Sequence, residues 1–329
     1  MPLWKKGLLA GGALILALAA FVFLNNANLL AKRPPGSPTI LAHRGFSQTF
    51  DSAGLDNEAC TATIIHTPTH SFLENTIPSM RAAFDAGADI VELDVHPTTD
   101  GQFAVFHDWG VGCRTEGNGV TRTFSMGQLK ALDVGYGYTA DGGKTFPFRG
   151  KGVGMMPSLQ EVLQVFPDRR FLINIKSNDA AEGTALAAFI SKIPPPQRGR
   201  LMVYGGGERA IGAFRAKSPD TLTLSKTSAK ACLLEYLAYG WTGIVPNVCA
   251  HSMVFVPLNY APLMWGWPDR YLNRMEAVGS EVFALGSYSG GRDYTAIDTP
   301  EMVAKLPPGY SGGIYTNEIG VIARATKAK

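Results

Sequence analysis

Residues 90–95 read Ile90-Val91-Glu92-Leu93-Asp94-Val95. The β-branched and aliphatic run predicts a strand, and Glu92 and Asp94, two apart, share one of its faces while Leu93 and Val95 take the other. Runs of the same kind recur on either side, at Thr39–Ala42, Phe171–Ile175, Leu201–Tyr204, Thr221–Leu224, Gly243–Val245, Glu281–Leu285 and Gly313–Thr316. Helical patterns lie between them, over 77–86, 158–166, 183–193, 208–217, 228–239, 271–278 and 300–306; Leu186, Phe189, Ile190 and Ile193 show the three-and-four spacing. Eight such repeats predict an α/β fold closed as a TIM-type (β/α)8 barrel. An open doubly wound sheet is the alternative, but it wants a glycine-rich dinucleotide loop after its first strand, and Ala42-His43-Arg44-Gly45 has no second glycine in place. Gly205-Gly206-Gly207 reads as a turn rather than a phosphate loop.

Outside this pattern, the chain opens with Lys5 and Lys6 and then eighteen residues, Gly7 to Leu24, without a charge; none follows until Lys32. As a helix the stretch is about 27 Å long, enough to cross a bilayer. Residues 1–6 are thus a basic N-terminal segment, 7–24 an uncleaved anchor or a cleaved signal, 25–38 a linker ending in the stiff Arg33-Pro34-Pro35-Gly36-Ser37-Pro38, and 39–329 the barrel. Asn25-Asn26-Ala27-Asn28 offers no A-x-A cleavage pattern, which favours the anchor. The positive-inside count leans to a cytoplasmic N-terminus, leaving the barrel outside the cytoplasm, or secreted if the segment is removed.

Composition narrows the partners. Charged residues make up 17 % of the chain, below the roughly 25 % of ordinary soluble domains. The balance is only +3 and no dense basic block follows residue 40, so the footprint of a nucleic-acid binder is missing. At 46 % apolar residues the chain can bury a large core. Four cysteines without a CxxC pair exclude zinc-ribbon spacing and, in an exported protein, permit disulfides; Cys60 with Cys113 is the favoured pair, because both fall in loops flanking the polar clusters. Nothing in the sequence fixes the oligomeric state.

The carboxyl ends of barrel strands line the catalytic mouth. There the sequence places His43-Arg44-Gly45, the inward pair Glu92 and Asp94, His107-Asp108 after a short strand following the Asp100-Gly101 turn, and Asn174 with Lys176, both facing inward with Leu172. Two inward carboxylates at one rim repel unless a cation intervenes: a bound divalent ion, for which oxygen donors suggest Mg2+ or Ca2+ over zinc, or Arg44 itself. Two histidines beside such a pair suit general acid and base work on a phosphate ester, and Lys176 suits a phosphate partner.

His43-Arg44-Gly45, Glu74-Asn75-Thr76, Glu92-Leu93-Asp94-Val95, Asp100-Gly101 and His107-Asp108, in this order, resemble the glycerophosphodiester phosphodiesterase family. The resemblance is strongest over 40–176 and continues weakly to Gly313-Ile314-Tyr315-Thr316-Asn317. It implies a barrel of the phosphodiesterase kind that hydrolyses glycerophosphodiesters to glycerol 3-phosphate and an alcohol. His43 and His107 would be acid and base, Arg44 and Lys176 would hold the phosphate, and Glu92 and Asp94 would be metal ligands, with Glu74 in support. The implied route is attack of the neighbouring glycerol hydroxyl on phosphorus, then hydrolysis of the cyclic phosphate. The chain departs from the pattern twice: Asn174 stands where the family supplies a third metal carboxylate, its amide oxygen a third ligand for Ca2+ or Mg2+ of lower affinity, and Phe46–Leu73 is a 28-residue insertion carrying Cys60, His66 and His70, the histidines read as loop residues. The uncharged, aromatic stretch Ser252–Trp267 reads either as a greasy lid, which would favour acylated substrates, or as a long loop packed on the barrel. The alternatives to a glycerophosphodiesterase are a lipid phosphodiesterase of the lysophospholipase D or sphingomyelinase D type and a catalytically impaired phosphodiester-binding barrel.

Overall fold

The computed structural model describes residues 2–51, 54–55, 59–290 and 295–327. Among them are nine strands: β1 Thr39–Ala42, β2 Ile90–Pro97, β3 Phe103–Val105, β4 Arg170–Ile175, β5 Leu201–Gly205, β6 Thr223–Ser225, β7 Met253–Pro257, β8 Glu281–Leu285 and β9 Gly313–Thr316. Eight pair in the order β6-β5-β4-β2-β1-β9-β8-β7, parallel throughout, and β3 adds to β2 antiparallel. The two ends of this order meet in a single parallel bridge, Thr223 to Ser252, reinforced by Ser252 Oγ donating to Thr223 O at 2.8 Å. The result is the nearly closed eight-stranded parallel barrel the repeat count predicted.

Alternation along the strands sorts the core into layers. Ile90, Leu172, Met202, Leu224, Met253, Phe255 and Phe283 fill the barrel interior, while Val91, Leu93, Val95, Ile173 and Val203 pack outward under the helices. Glu92 and Asp94, fully buried, follow Ile90 on the inner face, so the parity read from 90–95 holds. The helix Ile77–Ala86 that precedes β2 is capped by Thr76, whose hydroxyl accepts from Ser79 N, and stops at Gly87 in the left-handed region.

One predicted strand is misplaced. Gly243-Ile244-Val245 forms no strand: Gly243, at φ +88°, ends a single turn over Gly240–Thr242, Pro246 follows, and Ile244 is exposed. Two apolar residues between a left-handed glycine and a proline are too few to hold a ladder. The sixth barrel strand of the parallel set is β7, Met253–Pro257, buried at every position, which lies inside the stretch considered as a lid. The rest of that stretch packs outside the barrel: Met264, Trp265 and Trp267 join Tyr236 and Tyr271 in the outer core. From Met264 onward it is a packed connection, whereas Asn259, just past the carboxyl end of β7, pairs with the Tyr288 backbone, and Tyr260 and Leu263 stay 37 and 55 % exposed.

Both permitted disulfides are formed, the favoured Cys60–Cys113 and, beside it, Cys232–Cys249. The former ties the 46–73 insertion to the segment after β3, and Ala62, Ile65 and Leu73 share a small apolar core with Phe106, Val111, Leu129 and Tyr138. At the N-terminus, Leu3–Asn26 is one 24-residue helix, long and apolar enough to cross a membrane, with no side chain buried.

Candidate active site

The site is assembled at the carboxyl ends of β1, β2, β4, β5 and β9. After β1 the chain turns sharply: Arg44 at φ +58° and Gly45 at φ +83°. A side chain on Gly45 would lie 2.6 Å from Ser79 Oγ and 3.0 Å from the Ser79 carbonyl carbon, so only glycine fits against that helix. The turn aims the Arg44 amide at Glu92 Oε2 (3.2 Å) and its guanidinium between two acids, with Nη1 donating to Glu74 Oε1 at 3.1 Å and Nε 3.2 Å from Asp94 Oδ2.

Asp94 is the hub. Asn75 Nδ2 donates to its Oδ2 (3.0 Å), Asn174 Nδ2 donates to its Oδ1 (2.9 Å), and Lys176 Nζ is 3.5 Å from the same oxygen. Although burial works against the charge, Lys176 and Arg44 hold this carboxyl well below its usual range. Glu92 fares otherwise. Burial and the neighbouring Asp94 push it up to about 8, against the opposing pull of Arg44, and its Oε1 accepts from Tyr204 OH at 2.7 Å.

Each imidazole is held by one nitrogen. His43 Nδ1 is 2.6 Å from Asn317 Oδ1, and Asp298 fixes that amide by accepting from Asn317 Nδ2 (2.8 Å) and N (2.7 Å). Its other nitrogen, Nε2, is 3.7 Å from Glu92 Oε2. His107 Nδ1 is 2.7 Å from Asp108 Oδ1. Oxygen acceptors at both Nδ1 positions assign the proton there and leave both Nε2 atoms basic. Burial, then the Arg44 charge, lowers both rings, His43 to about 3, and the field of His107 is felt at His43. Asp108, buried but paired with Arg114 and His107, falls to about 2.

All the residues singled out from the sequence, His43, Arg44, Glu74, Glu92, Asp94, His107, Asn174 and Lys176, therefore meet in one cluster through direct contacts or mutual fields. His66 and His70 do not: His70 sits between Gln48 and Phe46, and His66 contacts Asp51 and Thr49 in the insertion. Sequence reasoning missed several members. Arg114, 2 % exposed, donates to Glu74 Oε1 (3.1 Å) and lies 3.5 Å from Asp108 Oδ2, linking the two acids. Its position next to Cys113 was the available signal. Tyr204 was legible by parity with inward Met202, and Asn75 and Asn317 stand in the quoted stretches Glu74-Asn75-Thr76 and Gly313–Asn317 without an assigned role, whereas Asp298 carried no local cue. His96, fully buried, packs edge-on to Trp109 with its Nε2 3.3 Å from the His107 carbonyl.

Among the described residues no three His, Cys, Asp or Glu side chains gather to hold a metal. Glu92, Asp94 and the Asn174 amide form an all-oxygen donor set that suits a hard cation by chemistry. Charge points the same way: Arg44, Arg114 and Lys176 face four carboxylates, Glu74, Glu92, Asp94 and Asp108, and Glu92 is the one left without adequate compensation.

Residues 43–188 match the model of the glycerophosphoryl diester phosphodiesterase family. A glycerophosphodiester phosphodiesterase of Caldanaerobacter subterraneus is 39 % identical over 103 residues, 31 % of this chain and 39 % of that protein. The chain spans about two fifths of the length of the curated relatives it matches first. Among solved structures, the glycerophosphoryl diester phosphodiesterase domain of Mycobacterium tuberculosis Rv2277c superposes with a TM-score of 0.63 at 17 % identity, covering 88 % of this chain and 99 % of that one. An Oleispira antarctica phosphodiesterase, solved with its product sn-glycerol-3-phosphate, superposes with a TM-score of 0.54 at 18 % identity, covering 89 % and 98 %.

Proposed function

We propose that this chain, which belongs to the glycerophosphoryl diester phosphodiesterase family through residues 43–188, hydrolyses glycerophosphodiesters to glycerol 3-phosphate and an alcohol. The observation that carries the reading is the pair of imidazoles, each anchored through Nδ1 and each offering a basic Nε2, beside inward Glu92 and Asp94. Neutral at pH 7, one ring can take the proton of the glycerol hydroxyl as its oxygen forms a bond to phosphorus. The other, protonated at Nε2 once the bound phosphodiester anion offsets the Arg44 charge that lowers it in the free protein, gives its proton to the departing alkoxy oxygen as the P–O bond breaks, leaving a cyclic phosphate and the free alcohol. With roles exchanged, the same pair activates water to open the ring. Asp108 and Asn317 hold the rings in the required tautomer, and Arg44 and Lys176 supply positive charge for the phosphoryl oxygens.

Glu92, Asp94 and the amide oxygen of Asn174 would hold Ca2+ or Mg2+, and Glu74 supports the site by holding Arg44 and Arg114. When bound, a divalent ion supplies Lewis-acid stabilisation of the phosphoryl charge and a lower pKa for the attacking hydroxyl. With Glu92 protonated the three cations and three remaining carboxylates are balanced at net 0, and a divalent ion that displaces that proton would bring the cluster to net +1, which attracts a phosphodiester anion. We read Leu3–Asn26 as a membrane anchor that leaves the barrel outside the cytoplasm, a reading supported by the two disulfides.

The test is a panel of glycerophosphocholine, glycerophosphoethanolamine and lysophosphatidylcholine with Ca2+, Mg2+ or chelator. Glycerol 3-phosphate should be released from the first two in the presence of metal, with a loss of about 10²–10⁴-fold in kcat for His43→Ala and for His107→Ala. Undiminished turnover in both variants would overturn the reading. Metal-free protein that binds these diesters without hydrolysing them would favour the non-catalytic alternative.

A further inference from the structure

We infer that the N-terminal helix is socketed into the barrel wall, and that this socket seats the barrel on a lipid bilayer with its catalytic mouth turned toward the aqueous phase. The last carbonyls of a helix lack intrahelical partners. Here barrel guanidinium groups supply them: Arg270 donates to Leu24 O and Ala27 O (both 3.0 Å) and Arg274 to Asn25 O (2.7 Å). Two cations at the negative end of the helix dipole are favourably placed. The contact is mutual. Asn25 and Asn26 donate to Trp241 O at 3.0 and 2.9 Å, Asn28 Oδ1 accepts from the Asp269 and Arg270 amides, and Asn273 donates to Lys32 O at 2.7 Å. Residues 25–32 are thus part of the folded barrel rather than a loose tether.

The socket lies toward the end of the barrel opposite the mouth. Trp241 follows the helix Lys226–Tyr239, which leaves the carboxyl end of β6 and returns antiparallel to the strands. Arg33 packs so close to Gly309, four residues before β9, that a Cβ there would fall 2.3 Å from its Nη1. Beside the socket Leu29, Tyr239 and Ile244 are 88, 61 and 68 % exposed. From the same place emerges a 24-residue helix, about 36 Å long at 1.5 Å per residue, whose apolar side chains are exposed apart from Phe21, edge-on to Trp241, and the half-buried Val22 at its last turn. A bilayer is the occupant that accounts for both.

This deepens the proposed function and rests on reading Leu3–Asn26 as membrane-spanning: a mouth held away from the surface draws its substrate from water, as a deacylated phosphodiester. All four native cysteines are disulfide-bonded, so a single introduced thiol can be labelled. In the full chain bound to phosphatidylcholine–phosphatidylglycerol vesicles, an environment-sensitive dye on Ile244→Cys should be quenched several-fold more by spin-labelled lipid than one on Ser289→Cys, four residues past the carboxyl end of β8. Equal quenching, stronger quenching at 289, or failure to bind the vesicles would overturn the inference. Arg270→Ala combined with Arg274→Ala should erase the difference while hydrolysis of glycerophosphocholine in detergent is kept; a difference that persists would strike the socket. If that variant has lost its near-UV circular dichroism, Asn25→Ala with Asn26→Ala takes its place with the same expected outcomes. Absent hydrolysis in the wild type would refute the proposed activity and leave the quenching result standing.

Discussion

Glu92 and Asp94 stand two residues apart on one face of β2 and meet opposite electrostatic fates. Asp94 gathers Lys176, Arg44, Asn75 and Asn174, whereas Glu92 has the backbone amide of Arg44 and the phenol of Tyr204. With its pKa raised from the ordinary 4.5 to about 8, Glu92 keeps a proton that the unfolded chain has given up. Stability of the metal-free protein is therefore lost, through this residue, as pH rises from 4.5 to 8. A divalent cation removes the need for that proton, so the rise in Tm on adding Ca2+ or Mg2+ in place of chelator should be larger at pH 8 than at pH 5. A metal effect independent of pH would argue that Glu92 is not a ligand. Asn174→Glu adds a third carboxylate opposite Asp94 in register; metal affinity by calorimetry should tighten about tenfold or more, as ligand charge does in hard-cation sites. The pairing of these two acids was readable from their spacing alone. Arg114 and Asp298 were not, because each reaches the site from a loop that the fold alone brings near.

At the level of elements, the segment from β2 to β4 departs most from a plain βα repeat. β3 folds back on β2, the 46–73 insertion leans on it, and Cys60–Cys113 closes a loop of sequence separation 53 around them. Loop-entropy arguments assign such a link about 4 kcal/mol. Replacing both cysteines by serine should lower the denaturation midpoint accordingly. It should also lower kcat, since Arg114 next to Cys113 would lose its fixed place between Glu74 and Asp108; an unchanged midpoint in urea would show that the insertion is held by packing alone. Strand assignment from sequence succeeded where aliphatic runs were four residues or longer, at Thr39–Ala42, Ile90–Val95 and Glu281–Leu285. It failed at Gly243–Val245, where a short run sat against Pro246, and it passed over Met253–Pro257 because a strand buried on both faces has no alternation to mark it.

For the molecule as a whole, the boundary drawn at residue 39 from the proline-rich linker cuts through a folded contact. A chain beginning at 39 would leave Arg270, Asn273 and Arg274 without the groups they bind in residues 24–32. At about 1 kcal/mol per lost hydrogen bond, and roughly 2–4 °C per kcal/mol for a protein of this size, 39–329 should melt at least about 5 °C below 25–329 in calorimetry. Equal melting temperatures would mean that these contacts contribute nothing net. The seam between β6 and β7 has its own consequence. Eight strands are rolled into a cylinder, yet its edges meet at one clasp, Thr223 with Ser252. The cylinder is a scroll more than a ring, and thermal breathing should begin as unrolling from that clasp, on the side of the wall away from β1 and β2, so that His43, Arg44, Glu92 and Asp94 are the last part of the site to feel it.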